Sequence, residues 1–407
     1  MSTLINTPGF LERLSRIELK KHNQKKKIIR LLYLKGALPI SEVINYMELS
    51  APKIQALLDE LSGEGMIELK GPGTSKGGRR PNLYGLKDNA FFILAIDIGR
   101  QSTRISVFNN NNESITGVKF FPLKLENKIK VIDQIYQFAR VVCNESGIDS
   151  EKIVGVGIAM PGLVDVEKSI NYTYLNFNRP LRNIFEDKFE KPVAIINDAQ
   201  AKAAAEFRFG QAIGKKNVLV LHIGTGLGTG LILNGRPYFG SKGFSGEFSH
   251  IPMVDKGYLC DCGKRGCLET IASGMALTRS VKSSLKKGEQ SLILQMVDND
   301  YKKINHKIIV DAALNGDQFA INHITELGYK LGMGIAILVQ ILNPELIILG
   351  GRIAEAKEYL TIPIEQALFK YTFPNIREDM NIVVSKLGDK ANLLGSVINV
   401  MENVFES

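Results

Sequence analysis

The chain has little sulfur chemistry to spend. Among 407 residues there are four cysteines, and three of them, Cys260, Cys262 and Cys267, fall within a single short stretch. Crowding of that kind does not read as a disulfide framework, so an oxidising compartment is not indicated and the cytoplasm is expected. The fourth, Cys143, stands alone in "FARVVCNES" and reads as a small core residue. No uninterrupted apolar run approaches the ~20 residues of a membrane helix, so no membrane partner is expected. The opening "MSTLINTPGFLERLSRIELKKHNQKKK" has no apolar segment between a basic start and a cleavage site, which argues against a secretory leader. What remains is an ordinary globular composition, 44% hydrophobic and 23% charged, in a chain long enough for more than one core.

The net charge of +9 is unevenly spread. Residues 1–90 hold 15 Lys and Arg against 9 Asp and Glu, and the other three quarters of the chain share the remaining +3. An asymmetry of that kind points to an appended module with an anionic partner, or to a merely solvated basic face. After the basic run Lys25–Lys27, "IIRLLYLKG" repeats apolar residues at helical spacing up to Gly36. A short helix is expected from Ser41, as N-cap, to Met47. A third follows from Ser50 with Pro52 in its first turn, where a missing N–H is harmless. "MIELK" and "NLYGLK" then read as two strands flanking "GPGTSKGGRRP". Three helices and a two-stranded wing describe a winged helix-turn-helix over residues 1–88. In such a domain the N-terminal residues of the last helix, here Ser50, Lys53 and Gln55, reach base edges, and Arg79 and Arg80 reach phosphates or the minor groove. Winged helices also serve as protein-interaction modules.

From Phe91 the texture is α/β. "FFILAIDIGRQSTRISVFN" and "NVLVLHIGTGLGTGLILNG" repeat one pattern, strand, glycine turn, strand, about 125 residues apart. The repetition implies two related α/β halves with a cleft between them, and glycine turns at strand ends are where such sheets bind ligands. Gly224–Gly230, "GTGLGTG", is the better phosphate cradle: bare glycines let backbone N–H groups converge on an anion, and Thr225 and Thr229 add hydroxyls. "DIGRQS", with Asp97 and Gly99 followed by Arg100, is poorer. Asn197-Asp198 ends a buried strand before an alanine-rich helix. Asp198 there is either a general base for a hydroxyl attacking a phosphate or the N-cap of that helix.

His250, Cys260, Cys262 and Cys267 form H-x9-C-x-C-x4-C, with Gly263 and Gly266 allowing a sharp reversal. One imidazole and three thiolates make a closed tetrahedral set for structural Zn²⁺, with no open position for a catalytic water. The alternative is a reduced, metal-free loop. A DNA-reading finger is not indicated, because the second histidine pair and helix are missing.

Together "GFSGEFSHIPM", "CDCGKRGCLE", "IGTGLGTG", "AMPGLVD" and "NDAQAKAAAE" resemble the ROK family of sugar kinases and sugar-responsive repressors, over nearly all of residues 91–400. With the N-terminal block, the chain is similar to the repressor branch typified by the N-acetylglucosamine and xylose repressors. The resemblance implies an actin-like ATPase fold of two α/β subdomains over residues 89–407. It also implies a sugar or sugar phosphate held by Asn197, Asp198, Glu247, His250 and Glu269. The phosphate-loop positions it implies are Asp97, Gly99, Gly224, Thr225, Gly226, Gly228, Gly350 and Gly351. Two departures stand out: Arg100 and Gln101 occupy the second Gly and the Thr of the kinases' D-x-G-G-T loop, and Gln200 replaces a usual Asn.

Two functions follow. The first is a cytoplasmic, sugar-responsive repressor that binds operator DNA as a homodimer or dimer of dimers, since a lone winged helix binds DNA weakly. The second is an Mg-ATP-dependent sugar kinase with Asp198 as base.

Overall fold

A computed structural model of the protein describes residues 13–74 and 80–405. The chain divides into two compact units, Met1–Ala201 with Asn392–Ser407, and Lys202–Ala391.

The first unit begins with α1 (Arg16–Lys35), which starts a dozen residues before the expected apolar run. Its start is fixed by a capping box: the Ser15 hydroxyl accepts from the Glu18 N–H, and Glu18 Oε2 accepts from the Ser15 N–H. The basic run therefore lies inside a helix and does not form a solvated arm. Lys25 is buried and paired with Glu60 and Glu64 at 2.7 and 2.6 Å, and Lys26 is 1% exposed. Next come β1 (Leu38–Pro39), α2 (Ile40–Met47) and α3 (Ala51–Gly63). Pro39, not Ser41, is the N-cap of α2, because the chain leaves β1 directly into the helix. Ile54, Leu57, Leu58 and Leu61 of α3 are buried, as their spacing requires. The hairpin β2 (Ile67–Pro72) and β3 (Asn82–Leu86) takes β1 as a third strand, in the order β1-β3-β2.

The same unit holds the first α/β half. Its strands are β4 (Phe92–Ile98), β5 (Ser102–Asn109), β6 (Lys119–Pro122), β7 (Ile153–Met160) after α4 (Ile129–Ser146), and β10 (Val193–Asn197). A small ladder of β8 (Val164–Asp165) and β9 (Ile170–Asn171), then α5 (Leu181–Phe189), separate the last two strands; α6 (Asp198–Phe209) follows β10. Every residue of β4 and β7 is buried, which suits strands at the centre of a sheet covered on both faces. Cys143 on α4 packs against this core. The C-terminal helix α13 (Ala391–Asn403) returns to β7 at two glycines. A Cβ on Gly157 would lie 2.4 Å from the Ser396 carbonyl oxygen, and one on Gly155 would lie 2.9 Å from Val400.

The second unit repeats the plan with β11 (Val218–Ile223), β12 (Leu227–Leu233), β13 (Arg236–Tyr238), β14 (Leu346–Gly350) and β15 (Asn381–Val384). The sheet orders are β6-β5-β4-β7-β10 and β13-β12-β11-β14-β15. Numbered within its own half, each reads 3-2-1-4-5, with an antiparallel meander on one side and two parallel strands on the other. The expected duplication is present. Between β13 and β14 lie α7 (Gly274–Lys286), α8 (Leu292–Met296), α9 (His306–Leu314) and α10 (Gln318–Leu342); α11 (Glu358–Tyr371) and α12 (Pro374–Arg377) precede β15. By length and composition α10 would suffice to cross a membrane. It packs instead as a core helix, with Gly328 and Gly332 against the backbone of α11.

Candidate functional site

The cysteine cluster is a tight reversal in the second unit. Gly263 and Gly266 have φ of +86° and +71°, left-handed values that favour glycine. At Gly266 the space is closed as well, since a Cβ would fall 1.7 Å from the Val254 carbonyl oxygen. Backbone bonds from Cys260 N to Lys264 O (2.8 Å) and from Gly266 N to Tyr258 O (2.9 Å) hold the turn. The result brings His250, Cys260, Cys262 and Cys267 together, with one ligand atom from each lying within 4.8 Å of all the others. Cys262 Sγ is 3.6 Å from Cys267 Sγ, and Cys260 Sγ is 3.4 Å from His250 Nδ1. A tetrahedron with bonds of about 2.0–2.3 Å has edges of about 3.4–3.8 Å. These two separations match such edges, so the donor set suits a metal ion of that size. Burial pushes the Cys260 thiol up to about 12, so the thiolate calls for a cation beside it.

The nitrogen of His250 that faces the Cys260 thiol is Nδ1; Nε2 turns toward Glu247 Oε2, 3.6 Å away. Glu269 follows Cys267 by two residues and is buried, with Oε2 4.0 Å from His250 Nδ1 and Oε1 accepting from the Leu227 N–H at 3.3 Å. A Cβ on Gly226 would lie 2.6 Å from Glu269 Oε1. Glu247, His250 and Glu269 are thus brought into one constellation, pinned on one side by the cysteine turn and on the other by the β11–β12 turn.

That turn is shorter than expected. Only Gly224–Gly226 is turn, closed by the Gly224 N–H to the Gly226 carbonyl at 3.0 Å; Gly228 lies in β12 opposite His222. Thr225 is exposed, but Thr229 is buried in β12 opposite Leu221, on the strand face away from Gly228, so it adds no hydroxyl to the turn. Gly350 ends β14 and Gly351 follows at φ +88°. Beside Thr225 opens a pocket of about 670 Å³, walled by α7. Arg279, Lys282 and Lys286 line it at spacings of three and four, so one helix face presents three cations. This stripe was missed in the sequence, where it reads as an ordinary solvated face.

Asn197 and Asp198 belong to the first unit. Asn197 is the residue that caps α6: its Oδ1 accepts from Ala199 N at 2.8 Å and from Gln200 N at 3.3 Å. The cap role offered for Asp198 is therefore filled by its neighbour, and half-buried Asp198 sits one residue inside the helix. Asn197 Nδ2 donates to the Gly162 carbonyl at 2.9 Å. Buried Asn171, unnoticed in the sequence, braces the same loop by donating to the Pro161 carbonyl at 2.8 Å. Asp97 is committed elsewhere. Arg104, its cross-strand neighbour, reaches Oδ2 at 3.3 Å, and Asn392 donates to Oδ1 at 2.8 Å.

Of the residues expected at DNA, Ser50 and Lys53 are exposed at the start of α3, where Ser50 is N-cap by position without a side-chain bond. Gln55 is occupied by Asp59 Oδ1 at 2.8 Å and reaches the Tyr84 hydroxyl at 3.4 Å. Arg80 is exposed; Arg79 lies outside the described residues.

Residues 93–402 match the ROK family. The chain belongs to the ROK family. A relative, the xylose repressor of Caldicellulosiruptor bescii, is 31% identical over 392 residues, covering 94% of this chain and 98% of that protein. Among solved structures, a ROK family transcriptional regulator, homolog of the Escherichia coli Mlc protein, superposes with a TM-score of 0.79 at 26% identity, covering 95% of this chain and 97% of the other. A ROK glucokinase from Streptomyces griseus, solved with glucose and AMPPNP, reaches 0.67 at 30% identity, covering 75% of this chain and 97% of its own. The two repeated α/β halves are accordingly the actin-like ROK fold.

Proposed function

We propose that this ROK chain is a sugar-responsive transcriptional repressor. Residues 1–88 form a winged helix-turn-helix that binds operator DNA, and residues 89–407 bind the sugar or sugar-phosphate effector. The observation that carries this is the N-terminal block of three helices and a three-stranded sheet. It lies within the length shared with a xylose repressor and a ROK regulator, while a ROK glucokinase covers only 75% of the chain. In this reading Ser50, Lys53 and Arg80 meet DNA, joined by Arg79, while Gln55 is held by its own domain. Glu247, His250 and Glu269 supply fixed acceptors and a ring nitrogen to sugar hydroxyls, and Asn197 and Asp198 are the further sugar positions that the family resemblance implies. Dimerisation places two recognition helices on successive half-sites.

His250, Cys260, Cys262 and Cys267 would hold a structural Zn²⁺. When bound, the ion fixes the turn from which Glu269 and His250 project, with His250 Nδ1 on the metal and Nε2 left for Glu247 and the sugar. Metal analysis of the purified chain checks this: one zinc per chain is expected, and Cys267→Ser should lose both the zinc and several degrees of melting temperature.

The test of the repressor reading is selection of duplexes from a random pool on the immobilised full chain. Enrichment of one two-fold symmetric sequence is expected. Lys53→Ala should weaken its binding by about 1–3 kcal/mol, and affinity should fall steeply with salt. A pool that stays random would sink the reading. A kinase reading keeps one favourable observation, an Asp198 that is not the helix cap, against an Asp97 tied up by Arg104 and Asn392. Turnover of glucose or xylose with Mg-ATP that vanishes in Asp198→Asn would establish it.

A further inference from the structure

His222 belongs to the second glycine region and is not part of the sugar set. It is half-buried near the C-terminal end of β11, and its partners across the sheet are Gly228 on β12 and Gly350 on β14. Neither of these two cross-strand partners carries a side chain. The turns ahead of it are bare too. A Cβ on Gly224 would lie 3.2 Å from His222 Nε2, one on Gly351 would lie 3.0 Å from Cε1, and one on Gly350 would lie 3.8 Å from Nδ1. Three glycines, 224, 350 and 351, therefore leave room for one ring, and a fourth, Gly228, is its cross-strand partner.

These are the positions that give the turns after β11 and β14 their character as an anion cradle. A phosphate gains affinity from such a cradle by bringing its oxygens against bare backbone, at the carboxyl ends of the parallel strands. Here the imidazole takes up the space into which side chains at those positions would project. The glycines accommodate the chain's own side chain, and the hairpin keeps the Gly224 N–H for the Gly226 carbonyl.

We propose that His222 is a specificity-determining residue: its ring occupies the anion seat between the two glycine turns and excludes nucleotide polyphosphate. The inference rests on reading those turns as a phosphate cradle, and not on the DNA-binding reading. The tie of Asp97 to Arg104 in the other half is an independent observation in the same direction, since each removes one element of phosphoryl transfer.

The test is calorimetric titration of the full-length chain with sodium tripolyphosphate and with Mg-ATP, comparing wild type, His222→Gly and His222→Gln. His222→Gly should bind tripolyphosphate at least about tenfold tighter than wild type, about 1.4 kcal/mol, because the seat is opened. His222→Gln, which refills the volume without an imidazole, should match wild type. If the Gly variant fails to melt cooperatively, His222→Ser replaces it with the same expectation. Equal affinity in wild type and the opened variant overturns the proposal, as does binding too weak to detect in both. Weaker binding in the opened variant overturns it too, by making the imidazole a ligand for the anion. Duplex binding by the same variants reports separately on the repressor reading, which stands or falls without His222.

Discussion

At the scale of single residues, what governs this protein is which polar groups are free for a ligand and which are spent inside the fold. Glu269 is held between the Leu227 N–H and the cysteine turn, and Gly226 leaves it room. Gly226→Ala should therefore displace the carboxylate at an overpacking cost of about 1–3 kcal/mol. It should weaken sugar binding while leaving duplex affinity intact, which calorimetry and anisotropy on one preparation can separate. Lys26 is spent. Burial pushes its ammonium down to about 8, against about 10.4 for a free lysine. Between those pH values the unfolded chain binds more protons, so this residue makes stability rise with pH across that window, and its penalty is fully present below about 8. Lys26→Met should raise the melting temperature at neutral pH, flatten that rise, and leave duplex affinity unchanged. The sequence could not show this, because a run of three lysines looks solvated until the helix containing them is packed on two sides.

Elements were legible in proportion to how local their causes are. The β4–β5 and β11–β12 hairpins announce themselves by apolar runs around glycine, and α3 by its buried leucines and early proline. The clustering of His250, Cys260, Cys262 and Cys267 was legible because their spacing is short. The start of α1 was missed, since its opening turns are polar and only the Ser15–Glu18 box marks them. Least visible was the turn Asn109–Asn112 after β5, which works through distant partners. Asn110 donates to the Lys87 carbonyl at 3.0 Å and accepts from the Ala90 N–H at 2.9 Å. Asn111 reaches Asp88 at 3.1 Å, and the Tyr33 hydroxyl of α1 donates to Asn112. One end of β5 is the loop of Gly99 and Arg100, and the other clamps the connection to residues 1–88. A strand so placed ties the Gly99–Arg100 loop to the N-terminal block. Asn110→Ala removes two buried bonds, at about 1–3 kcal/mol. It should make duplex affinities with and without sugar converge, whereas a variant that merely loses stability would keep their ratio.

For the whole molecule, the duplicated α/β body could be read from the glycine turns and the ROK resemblance, while the compact units divide the chain at Ala201 and keep the N-terminal helices with the first α/β half. The return of α13 onto β7 could not, because it depends on Gly157 meeting Ser396 across more than half the chain. The duplication gives two copies of a 3-2-1-4-5 sheet, each with a glycine turn between its first two strands. In this chain Arg100 stands at the turn of one half and His222 just before the turn of the other, while Glu247, His250 and Glu269 are assembled. The central claim is that sugar occupancy changes DNA affinity through a shift between two conformations. The most direct measurement is fluorescence anisotropy of the selected duplex with the full-length chain, titrated with and without xylose, glucose and their phosphates. The account predicts that one of these ligands shifts the duplex dissociation constant by at least about fivefold, the lower end of ordinary allosteric coupling, and that Glu269→Gln abolishes the shift. A dissociation constant unmoved by every ligand that calorimetry shows to bind would contradict it.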